Sequence, residues 1–217
     1  VQTSWISRGA RARTGAGLLC AAAALSGCGT SGGPASDMPP PSPVSSAQAA
    51  QAGQQLLGEL LPVPPGAQPW SRNPTGLLDQ LTVVHNYFGQ QDWDRVNAET
   101  TRRGFVAAAR HGWSNPDGSA SDVLLIEFAT RGGANSMAQS MSEGWKLAED
   151  GTQDEDQEVH GTEFTEARPG PDGLTASEVV AIHGSVLVYV AFLADGKPDR
   201  TAAEKLIKDQ VDTLGGV

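Results

Sequence analysis

The chain has 217 residues, 39% of them apolar and 18% charged, and a formal net charge of −10. The acidic excess opposes binding to nucleic acid or to anionic headgroups, because each phosphate contact needs a cation. The sequence has two cysteines, Cys20 and Cys28, both within its first 28 residues, so a domain without that stretch has neither a disulfide framework nor a thiolate metal site.

The first elements concern address. Arg8, Arg11 and Arg13 supply positive charge, and no acid precedes Asp37. An apolar run of about ten residues follows over 16–25, well short of the roughly 20 that span a bilayer as a helix. Leu25-Ser26-Gly27-Cys28 comes next and resembles the lipobox of bacterial lipoproteins. That resemblance implies a signal peptide over 1–27, cleavage before residue 28, and lipidation of Cys28 with diacylglycerol and palmitate-type chains. Two fatty chains anchor a protein stably where one does not. The implied location is the extracytoplasmic face of the plasma membrane. Loss of the three arginines with the signal would take the charge from −10 to −13 and leave the folded part without a thiol.

Residues 28–67 read as a Pro/Ser/Gly/Ala-rich tether, too polar to form a core, and end in a short amphipathic helix over 48–61. Leu56, Leu57, Leu60 and Leu61 give that helix an apolar side suited to docking on its own domain. Residues 68–217 then fit one domain. Within it, 75–88 is ambiguous in period and is read as a helix, 91–103 as a second helix, 105–113 and 123–130 as strands around a Pro-Asp-Gly turn, and 132–148 as a helix with a Met/Trp core stripe. The acidic stretch around 149–158 reads as a solvated connecting loop. Strands are predicted over 158–167 and 175–182, with His183-Gly184 as a two-residue turn. The 185–193 strand is apolar on both faces and so needs cover on both sides. A last helix covers 199–214, with Thr201-x-x-Glu204 as a capping box.

The pattern predicts an α+β fold, an antiparallel sheet built from hairpin–helix (ββα) units with helices packed on it. The hairpin–helix order occurs twice, and both copies carry Ala-x-His-Gly, at 109–112 and 181–184. Residues 103–134 (RGFVAAARHGW…VLLIEFATRGGA) resemble small α+β domains of actinobacterial lipoproteins and, more remotely, Mog1/PsbP-like domains. The resemblance implies a fold and not an activity.

Tests for chemistry are negative. No two of His85, His111, His160 and His183 are nearer than 23 residues, and no HExxH occurs. His111 and His183 would share a site if their strands were neighbours. Asp154-x-Asp156-x-Glu158 alternates as a calcium loop does, but Gly161 falls two places late and the terminal Glu is missing. The single Gly-x-Ser-x-Gly, Gly29 to Gly33, lies in the tether, where no strand and helix can hold the serine in a sharp turn. No catalytic residue, cofactor or metal ligand is assigned. Trp70, in a Pro-rich loop, and Trp113, beside a turn, are the aromatics expected to be partly exposed, and with His111 and His183 they are the candidate ligand-facing residues. The expectation is a lipid-anchored, non-enzymatic binding or sensing module with an envelope protein or lipid as ligand. An envelope hydrolase using His and carboxylates, or a structural partner of a neighbouring envelope protein, are the alternatives.

Overall fold

The computed structural model describes residues 44–70, 74–147, 151–170 and 173–215. The signal segment, Cys28 and most of the tether lie outside them. Ser45 opens the first helix, α1 (Ser46–Glu59), through a capping box with Gln48. Two short strands follow, β1 (Gln68–Pro69) and β2 (Gly76–Leu78), then α2 (Gln80–Tyr87), a 3₁₀ turn and α3 (Trp93–Arg102). The hairpin β3 (Phe105–Ser114) and β4 (Ala120–Phe128) leads into α4 (Arg131–Leu147). A second hairpin, β5 (Gly151–Asp156) and β6 (Gly161–Glu166), precedes a third, β7 (Leu174–His183) and β8 (Val186–Asp195), and α5 (Arg200–Thr213) closes the fold.

All eight strands form one antiparallel sheet in the order β1-β3-β4-β8-β7-β6-β5, with β2 also paired to β3. The architecture is α+β, as the hairpin–helix pattern predicted. Strand alternation sends Leu124, Ile126, Leu187, Tyr189 and Leu193 to one face, where they pack with Val83, Met137, Met141 and Trp145 of α2 and α4. Val123, Leu125, Val179, Val188 and Val190 go to the other, under Leu56 of α1 and Ala203, Ile207 and Val211 of α5. The doubly apolar β8 therefore has the two-sided cover its sequence demands. α1 is locked to α5 by Gln210, whose amide donates to the Glu59 carbonyl and accepts from the Leu61 N–H, each at 2.9 Å.

Four expectations are corrected. The 75–88 stretch is split: Leu77 and Leu78 pair with β3, and Asp79 starts the helix only at Gln80 by accepting from Thr82 N–H at 2.7 Å. The acidic connecting loop is instead β5, which β6 supplies with backbone partners; Asp154 and Glu155 stay exposed, while Asp156 is buried and accepts from the Glu158 and Val159 N–H groups. The tight turn is Gly184-Ser185, because His183 still pairs with Val186 and Gly184 takes the positive φ of 59°. Asp199, not Thr201, caps α5, its carboxylate accepting from Ala202 N–H. The two hairpin–helix units also differ in kind. α4 and α5 lie on opposite faces, and His111 is inside its strand while His183 ends one.

Candidate functional site

The residues singled out in the sequence do not converge. Trp70 and Trp113 are both buried rather than exposed. Trp70 lies under Arg110, whose guanidinium carbon is 5.8 Å from the ring centroid, and its N–H donates to the Gly112 carbonyl. Trp113 packs in the core beneath α1 and α5. His111 is half-buried and donates from Nδ1 to the Leu61 carbonyl at 2.9 Å, so that nitrogen carries the proton. His183 sits at the far end of β7. β4 and β8 join the two hairpins, which places β3 and β7 on their outer sides, three strand spacings or about 14 Å apart. A shared histidine site is excluded by that order.

Two polar constellations stand out, of which the sequence reading had singled out only acids of the second, as a weak calcium-loop pattern, and not their partner Arg200. One is closed. On the α2/α4 face, Arg110 is 0% exposed and pairs with Asp122 at 2.7 Å. Its Nε donates to Tyr87 Oη at 2.9 Å, and its Nη1 donates to the Pro74 carbonyl at 2.9 Å. Tyr87 donates in turn to Asp122 at 3.2 Å and meets Tyr189 edge-on, with centroids 5.3 Å apart. Tyr189 donates to Glu178 at 2.9 Å. Burial pushes the Asp122 carboxyl up against the pull of Arg110, and burial pushes Glu178 up to about 8, so Glu178 is largely protonated at neutral pH. Gly112 makes room for this cluster, since a Cβ there would stand 2.7 Å from Arg110 Nη2. The signal was present: Arg110 and Asp122 fall on the same face of one hairpin, amid residues that are otherwise apolar.

The other is open. The β5–β6 register sets Asp154 opposite Glu163 and Glu155 opposite Thr162, at the end of the sheet. The α5 cap brings Arg200 over this edge. Its Nη1 reaches Asp154 at 2.7 Å, and its Nε lies 2.8 Å from Glu163 and 3.0 Å from Glu204. Glu163 is only 1% exposed, and burial, with Glu204, Asp156 and Asp154 adding to it, pushes the carboxyl up to about 7 against the opposing charge of Arg200. Its Oε1 has no hydrogen bond, nor has Oε1 of Gln153. A groove of about 880 Å³ straddles the strand, walled by Ser142 and Lys146 of α4 on one side and Arg200 on the other. Lys208 pairs with Glu158 at 3.1 Å just beyond it. Sequence spacing carries little sign of this site, because Arg200 is 46 residues from Asp154.

In fold the chain is similar to the extracellular domain of PknH from Mycobacterium tuberculosis. The match has a TM-score of 0.51 and 16% sequence identity, and it covers 81% of this chain and 98% of that one. At that identity the likeness shows the fold alone. No family model and no curated protein sequence matches the chain.

Among the described residues no group of three or more His, Cys, Asp or Glu side chains is arranged to hold a metal ion. Neither His111 nor His183 is hydrogen-bonded to an acid or hydroxyl there. Among the described residues, no helix is long and apolar enough to cross a membrane.

Proposed function

We propose that this chain is an extracytoplasmic recognition module, held at the membrane through lipid on Cys28, that binds a polar ligand at the β5 groove without transforming it. The observation that carries the reading is the contrast between the two constellations. The Arg110–Asp122–Tyr87 cluster is sealed from solvent and serves packing. The groove is open and lined by amides, hydroxyls and charges of both signs. A general base must stand within about 3 Å of the proton it takes, and the histidines offered for that role lie away from acids and hydroxyls. The lipobox-like Leu25-Ser26-Gly27-Cys28 supports the anchor, and the fold shared with an extracellular domain agrees with the compartment.

Two measurements test this. Cys28→Ser should move the protein from the membrane fraction to the medium; unchanged membrane association would refute the lipid anchor. The wild type and a Glu155→Lys variant should then be used as baits on envelope extract, with mass spectrometry of proteins, lipids and glycans together. Capture that the groove variant loses supports the reading. Identical capture by both baits refutes the groove as the site.

A further inference from the structure

Resting on that reading of the groove, we infer that β5 is a docking strand, which takes an extended, basic peptide segment of an envelope partner as one more strand of the sheet. The sheet has two edges of unequal character. On one side β3 is closed off by β1, with Pro69 unable to donate, and by β2. On the other, among the described residues β5 pairs with β6 alone, and its outer backbone row has no strand partner there. Six residues in antiparallel geometry offer about 20 Å of edge. The groove lies over both faces of this edge, between Lys146 on the α4 side and Arg200 on the α5 side. An incoming chain therefore finds main-chain partners flanked by side-chain walls, the arrangement in which backbone bonds give affinity and alternate side chains give specificity.

Charge selects the occupant. On the α5 side Arg200 serves Asp154, Glu163 and Glu204 together, one guanidinium for three carboxylates. Behind them the buried Glu163 has an oxygen without a hydrogen bond. On the α4 side Glu155 and Lys146 face the groove one charge for one, so the acidic excess lies on the α5 side. A second copy of this chain pairing β5 on β5 would crowd the exposed Asp154 and Glu155 of both molecules onto one seam, and like charges across strands repel. The edge thus rejects itself and accepts a strand whose alternate positions carry Lys or Arg.

The test uses the full chain and two labelled ten-residue peptides, one alternating Lys with Val and Thr, the other with Glu in place of Lys. Fluorescence anisotropy should show the Lys peptide binding at least about ten-fold tighter, a difference of roughly 1.4 kcal/mol, with the gap narrowing at high salt. Hydrogen exchange over 151–156 should slow in the complex. Glu155→Lys, an exposed change, should cut Lys-peptide affinity several-fold while the circular dichroism spectrum is unchanged. Equal affinity for both peptides, or no binding of either at millimolar concentration, overturns the inference. Binding of the Lys peptide with unchanged exchange at β5 overturns strand addition and leaves the groove as a recognition site. Protection of 151–156 by self-association, without peptide, overturns the choice of occupant.

Discussion

Replacing Arg110 by Met keeps much of the side-chain volume and removes the cation from a site with 0% exposure. Asp122 would then keep the Tyr87 hydroxyl as donor but lose its counter-charge at 2.7 Å. Breaking a buried ion pair from one side costs about 3–5 kcal/mol, because the remaining charge is stranded in a poorly solvating interior. For a domain stable by about 5–15 kcal/mol, that is a large share. Removing both charges together, as Arg110→Met with Asp122→Leu, leaves no stranded charge and should restore stability to within about 1 kcal/mol of wild type or above it. The single variant should also recover as pH falls. Burial already pushes the Asp122 carboxyl up, and without Arg110 it takes a proton more readily still. Urea unfolding followed by tryptophan fluorescence and circular dichroism, at pH 7.5 and pH 5, measures all three quantities. A single-variant cost below about 1 kcal/mol, or a double variant no more stable than the single, would refute the account of this cluster.

Glu178, held at about 8 by burial against its ordinary 4.5, binds a proton on folding across the interval between those values. Its stabilising share is complete below pH 4.5 and is lost as pH rises through 8, so wild type should lose melting temperature from pH 6 to pH 9 more steeply than Glu178→Gln. Parallel slopes would refute this. Gly112→Ala places a methyl 2.7 Å from Arg110 Nη2, so the guanidinium must shift against its bonds to Asp122, Tyr87 and Pro74, and should cost about 1–3 kcal/mol in urea unfolding. Gln210→Ala removes both bonds that lock the end of α1, at Glu59 and Leu61, and should destabilise by about 2 kcal/mol. Hydrogen exchange should then rise in 46–59 before it rises in β8.

Local pattern made several elements readable. The two-sided apolar run of 186–193 demands helices on both faces, and both are there. The Met/Trp stripe at helical spacing in α4 is core. The leucines near the end of α1 dock on the domain's own sheet. Where the pattern misled, a competing local force or a distant partner decided. Asp79 cut one ambiguous segment into strand and helix by capping. Pairing with β6 turned a charged stretch that resembles a loop into a strand. Trp70 and Trp113 stand in loop-like and turn-adjacent sequence, yet the sheet edge and α1 cover them.

By itself the sequence determined the fold class, two of the three hairpins and the helices that cover the sheet, because these follow from apolar period and turn chemistry within a few residues of each other. It also supplied the lipobox-like segment, which is a linear signal read before folding. Strand order is of another kind. Joining the hairpins through β4 and β8 separated His111 from His183 and left β5 at the edge beneath Arg200, and the packing of α2 on the sheet closed Tyr87 over the Arg110–Asp122 pair. Those are contacts between residues tens of positions apart. Their energy depends on which surfaces meet, a quantity that no stretch of local sequence contains.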